Sequence, residues 1–164
     1  MQTIRQFFAV TTMALAVPFL AFSQDKTPVN NLLQQYYGIK NALVAGDPAA
    51  AAKAATAFTG ALQNINTGSL AASEQAALKP VREKLLENSK AIASGKDLAK
   101  QRAAFQVLSD NLIPVVKASK VDAPAYIAYC PMKKASWLSA EQAIKNPYYG
   151  SAMLTCGSVK ETIQ

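Results

Sequence analysis

Residues 46–51 read Gly46-Asp47-Pro48-Ala49-Ala50-Ala51. A glycine that can end one helix, an aspartate that can cap the free N–H groups of the next, and a proline pre-set for a first helical position stand in immediate succession. This run predicts a helix on each side with almost no linker. Working outward, Thr27-Pro28 opens the first helix in the same way, Ser73-Glu74 starts a third and Asp97 a fourth, while Gly46, Gly68 and Gly95 fall where helices should stop. Between these marks the apolar spacing is helical: Leu32, Tyr36, Ile39 and Leu43; Ala54, Phe58, Leu62 and Ile65; Leu78, Val81, Leu85 and Ile92; Leu98, Phe105, Leu108, Leu112 and Val115. Four helices of about 20 residues, each roughly 30 Å long, predict an all-α fold, an up-down four-helix bundle over residues 24–119. Pro114 is expected to kink the fourth helix. Gly60 costs the second about 1 kcal/mol relative to alanine, with close helix approach as compensation. The alanines from Ala49 to Ala57 predict a narrowly packed side without a ligand pocket.

The ends of the chain have a different character. Residues 1–23 give a basic start at Arg5, an apolar run from Phe7 to Phe22 and a small-x-small ending, Ala21-Phe22-Ser23. This pattern predicts a cleaved secretory signal peptide rather than a membrane span, and hence a periplasmic or secreted protein with no membrane insertion after cleavage. The formal net charge of +7 arises from 17 Lys and Arg against 10 Asp and Glu, and the basic residues are scattered along the chain. A nucleic-acid site needs them gathered into a stripe, so no nucleic-acid partner is expected.

Histidine is absent from all 164 residues. Ser-His-Asp and Cys-His nucleophilic sites and His-based zinc centres are therefore excluded. Past Ser119 the only carboxylates are Asp122, Glu141 and Glu161, and no spacing sets two of them across a cleft as a hydrolase would require. The expectation is a protein that is not an enzyme.

Residues 120–164 hold both cysteines, Met132, Met153 and the aromatics Tyr126, Tyr129, Trp137, Tyr148 and Tyr149. A short strand is expected near Tyr126–Tyr129, a brief helical piece near Ser139–Ile144 and a return segment over Met153–Val159, a loop and short β module packed on the bundle as part of the same domain. Trp137 and the tyrosines are expected to pack this module against the bundle. Sulfur falls in two clusters, Cys130-Pro131-Met132 and Met153-Leu154-Thr155-Cys156. Converging, Cys130, Met132, Met153 and Cys156 would make an all-sulfur metal site favouring Cu(I) over hard ions or zinc. The other reading of the same residues is a Cys130 to Cys156 disulfide closing a loop of about 27 residues, stabilising by roughly 3.5 kcal/mol on chain-entropy grounds. Both readings stand on the sequence, and they can be two redox states of one site.

The stretches Tyr129-Cys130-Pro131-Met132, Ala135-Ser136-Trp137-Leu138-Ser139, Asn146-Pro147-Tyr148-Tyr149-Gly150 and Met153-Leu154-Thr155-Cys156-Gly157, with Leu108-Ser109-Asp110-Asn111-Leu112 upstream, resemble a family of exported bacterial helical domains of unknown function. That family also occurs as a C-terminal module of periplasmic heavy-metal and copper efflux adaptors. The resemblance implies metal handling with an efflux component as partner, and it carries the sulfur positions onto Cys130, Met132, Met153 and Cys156. The chain departs from the family pattern at Tyr129, where histidine commonly stands. An accessory protein that binds Cu(I) in metal tolerance is the first expectation, and a structural or protein-interaction domain locked by the disulfide is the second.

Overall fold

The computed structural model describes residues 27–164, and the signal-peptide reading of residues 1–23 lies outside them. Five α-helices come first: α1 (Pro28–Ala45), α2 (Pro48–Gln63), α3 (Ala72–Leu78), α4 (Arg82–Ser94) and α5 (Leu98–Lys117). Three strands follow: β1 (Ala125–Cys130), β2 (Ala135–Ser139) and β3 (Ser158–Ile163). They form one antiparallel sheet in the order β2-β1-β3. The all-α four-helix expectation is thus corrected to a mixed fold of helices and sheet.

Two physical causes account for the correction. Pro80 has no N–H to give the carbonyl four residues earlier and its ring crowds that carbonyl, so the expected third helix breaks. It becomes α3, ending at Leu78, and α4, restarting at Arg82. In the tail, the chain from Ala135 to Ser139 pairs with β1 along its full length, and β3 covers the opposite edge of β1. The segment 140–146 carries no helix, contrary to the helical piece expected near Ser139–Ile144.

The helix ends show why the punctuation holds at the start of the chain. The N–H of Gly46, at φ 74°, donates to Leu43 at 3.3 Å and that of Asp47 to Ala42 at 3.0 Å, closing α1 through a left-handed glycine. The Asp47 carboxylate then accepts from Ala49 and Ala50, both at 2.9 Å, and opens α2. One residue therefore terminates one helix with its backbone and starts the next with its side chain. Thr27 and Asp97 cap α1 and α5 in the expected manner, and Glu74 reaches back to the Ala71 N–H at the head of α3.

Gly95 follows the end of α4 as expected, while Gly68 and Gly60 act differently. Gly68 lies in a 3-10 turn, Thr67–Ser69, after α2 has already ended, and the α2 carbonyls of Leu62 and Gln63 are taken by Arg82. Gly95 follows α4 at φ −76°, where a Cβ would come within 3.0 Å of the Ala91 carbonyl, so space rather than handedness selects glycine. Around Gly60 the space is open, and the close approach of α1 to α2 is made at Gly38 instead, where a Cβ would sit 3.4 Å from that of Ala54. On the alanine side, Pro48, Ala49, Ala52, Ala93 and Gly95 line an open depression of about 440 Å³. The α5 helix continues past Pro114 to Lys117.

Helix α1 packs on α2, α2 on α4, α4 on α5, and α5 carries β2. The buried residues Tyr36, Phe105, Trp137 and Tyr148 join helices to sheet in one continuous core. Tyr36 and Phe105 stack at 5.0 Å, while Tyr148 stands 5.9 Å from Phe105 and meets Trp137 edge-on at 5.9 Å. The outer edge of β2 would otherwise present unpaired backbone groups. Two tyrosines cover it: Tyr36 accepts the Leu138 N–H at 3.1 Å, and Tyr148 donates to the Ser136 carbonyl. No helix among the described residues is long and apolar enough to cross a membrane.

Candidate functional site

β1 ends on Cys130, and residues 131–134 turn the chain back so that Ala135 pairs with it. Lys134 takes the left-handed conformation, φ 54°, that this tight turn needs. On the other edge of β1, Tyr129 pairs with Ser158 at the start of β3. The residue two before Ser158 is Cys156, and the register therefore carries it to the end of β1. The two Sγ atoms lie 3.0 Å apart as free thiols, against about 2.05 Å for a disulfide bond.

Three neighbours fix this approach. Gly157 sits at φ +143°, where a Cβ would come within 2.9 Å of both the Trp137 ring and the Tyr129 carbonyl, so only glycine lets Cys156 lie this close to β1. Asn146 is fully buried. Its Nδ2 donates to the Cys156 carbonyl at 2.8 Å, its Oδ1 accepts the Tyr148 N–H at 2.8 Å, and its own N–H donates to Leu154 at 2.8 Å. The Cys156 N–H donates to Met153 at 3.1 Å. In the sequence, Asn146-Pro147 followed by Gly150 is turn chemistry. Its positioning role has a sequence signal, an Asx turn ten residues before a cysteine, but only the fold reveals what the amide holds.

The two sulfurs are unequal. Cys130 is buried and Cys156 half-buried. Burial pushes the Cys130 thiol up, but the Cys156 thiol beside it, the N–H groups of Lys133 and Met132 and the Asn146 amide favour the thiolate, and the net direction is down. Cys156 moves up, because its proton is held by the Cys130 sulfur and because of partial desolvation. When the pair loses its first proton, the charge therefore settles on Cys130 while Cys156 keeps its own.

Of the four expected sulfur ligands, the fold brings Cys130 and Cys156 together. Met132, in the turn after Cys130, is 66% exposed. Met153 ends the 3-10 turn Gly150–Met153 and is half-buried. No hydrogen bond ties either thioether into the thiol pair. Among the described residues no group of three or more His, Cys, Asp or Glu side chains could hold a metal ion. A metal held here would rest on the two thiolates, with thioethers as the remaining soft donors, a set that fits Cu(I) and not Zn or Mg.

A family described as a protein of unknown function (DUF3347) matches residues 32–123, more than half of the chain. The chain belongs to this family. The match runs from within α1 to two residues before β1, so both cysteines, both methionines and the whole sheet lie beyond it. No curated protein and no solved structure matches the chain.

Proposed function

We propose that the protein is an exported, non-enzymatic accessory protein that binds Cu(I) through Cys130 and Cys156 and serves copper or heavy-metal tolerance beside a periplasmic efflux component. The observation that carries this reading is the pairing of two free thiols at 3.0 Å, at a Cys130 whose thiolate form is favoured by its partner thiol and the N–H groups of the Met132-Lys133 turn. Thiolate is the metal-binding form, and amides that favour it prepare the site before metal arrives. Two soft anionic donors suit a soft monovalent ion. The resemblance of the tail motifs to modules on efflux adaptors supports the physiological setting.

The test is a titration of the reduced protein with Cu(I) against a competing chelator. Stoichiometric binding lost in Cys130→Ser and in Cys156→Ser is expected, with a smaller loss in Met132→Ala and Met153→Ala. Uptake by the double serine variant equal to wild type would overturn the reading.

A second reading is favoured by the same separation, since two thiols this close need little movement to join. In it the protein is a structural or interaction domain locked by a Cys130 to Cys156 disulfide, without metal. Protein isolated from the exporting cell with no free thiols, and taking up no copper once reduced, is the result expected of that reading.

A further inference from the structure

Three large hydrophobic side chains are exposed among the described residues: Val107, Met132 at 66% and Leu154 at 39%. Two of the three flank the thiol pair. Met132 lies two residues after Cys130 and Leu154 two residues before Cys156, so the 3.0 Å approach of the sulfurs sets both beside the half-buried Cys156. Lys133 and Lys134 follow Met132 in the same turn, and Lys160 lies in β3 two residues after Ser158, the partner of Tyr129. None of the three makes an ion pair among the described residues, whereas Glu141 and Glu161 are paired with Lys145 and Lys117. Lys160 instead holds its ammonium 5.9 Å from the ring of Tyr129, the residue before Cys130. The result is two exposed apolar side chains flanking a half-buried cysteine, with uncompensated lysines in the adjoining turn and strand.

We infer that this face docks a protein partner with an acidic rim around its own soft metal ligands, and that Cu(I) passes between them at Cys156. The inference rests on the proposed Cu(I) reading for its cargo. Desolvated apolar contact at the centre and opposite charges at the rim is the usual anatomy of a transient interface, in which the charges set the encounter rate. In the transfer, the Cu–S bonds to Cys156 and then Cys130 break as bonds to the partner's donors form. Copper stays in the +1 state, each incoming thiol gives up its proton as it binds, and each released thiolate takes one up.

The probes are two synthetic peptides sharing one Cys-x-x-Cys pair, one flanked by glutamates and the other by lysines. Transfer from the reduced, Cu(I)-loaded full chain is followed by stopped flow. We expect the acidic peptide to accept copper about tenfold faster than the basic one at low salt, with the gap closing at high salt. Charge reversal at Lys133→Glu, Lys134→Glu and Lys160→Glu should invert the preference, and Leu154→Ser should slow both transfers. Equal rates for the two peptides, with copper bound normally, overturn the docking and leave the metal reading standing. A chain that binds no copper defeats the metal reading, and anisotropy of the labelled acidic peptide against metal-free protein then decides the docking: charge-dependent binding supports it, none overturns it. Stronger binding to anionic lipid vesicles than to the peptide assigns the face to a membrane and also overturns it.

Discussion

The hydroxyl of Tyr36 accepts the backbone N–H of Leu138 at 3.1 Å across 102 residues of sequence. The same oxygen is 2.7 Å from Ser109 Oγ, which itself donates to the Phe105 carbonyl at 2.8 Å. A buried relay thus runs from the edge of β2 through α1 to α5. Burial drives the Tyr36 phenol well above its usual range, with the nearby Tyr148 adding to the shift, so it stays neutral and keeps a proton to donate. Tyr36→Phe strands the Leu138 N–H, and the loss should be about 1–3 kcal/mol by urea unfolding. Ser109→Ala is expected to cost less, because Tyr36 would retain Leu138.

Gly157→Ala tests the close packing behind Cys156. The new Cβ would meet the Trp137 ring and the Tyr129 carbonyl at 2.9 Å, one of them backbone that cannot swing away. Left-handed strain and this contact together should cost about 2–4 kcal/mol. Trp137 fluorescence reports the melting, and faster alkylation of Cys130 in the native state would show the pair sprung open. A native-like melting temperature would refute the claim that glycine is required.

Asn146→Ala removes the amide that holds the Cys156 carbonyl while leaving both sulfurs in place. Outer-sphere partners of metal ligands typically govern affinity by 10- to 100-fold, and a loss of about that size is expected in the Cu(I) competition. Unchanged affinity would mean that Cys156 needs no such support.

The thiol pair should titrate in two separated steps. With Cys130 shifted below 9.0 and Cys156 above it, thiolate absorbance should rise once on each side of that value. The lowered folded pKa of Cys130 makes its contribution to stability largest at pH above the unfolded value, lost as pH falls through the folded one. The raised pKa of Cys156 acts oppositely, its contribution fading as pH climbs through its folded value. Either single serine variant should collapse the two steps into one.

Asp97 offers a milder pH effect. Its carboxylate is held below the usual 3.8 chiefly by the Lys100 N–H at the head of α5. The depressed folded pKa means stabilisation that is complete above 3.8 and fades as the pH falls through the folded value. The melting gap between wild type and Asp97→Ala should therefore narrow at pH 2.5 relative to pH 7.

The helix starts were legible because a cap is a local event. Thr27, Asp47 and Asp97 bond to N–H groups two or three residues away, and their neighbours in sequence are their neighbours in space. Pro80 was masked by Leu78, Val81 and Leu85, whose apolar spacing runs through the break. The sheet was harder. β1 alternates enough to show itself, but β2 is buried at nearly every position and β3 is exposed at most of its positions, so neither carries a period of two. The candidate site inherits that difficulty. Its sulfur content could be read off the chain, whereas the meeting of Cys130 with Cys156 depends on the register of β1 with β3.

The family match stops at residue 123, just short of the sheet, yet Phe105, Leu108 and Tyr36 bury themselves partly against what comes after. The boundary of the family match and the boundary of folding therefore do not coincide. A chain trimmed to the recognisable family region would leave α5 with a bare apolar flank and Tyr36 without its strand. The sheet is thus the roof of that flank, and the segment that carries the sulfur is part of the folding unit rather than an appendage to it.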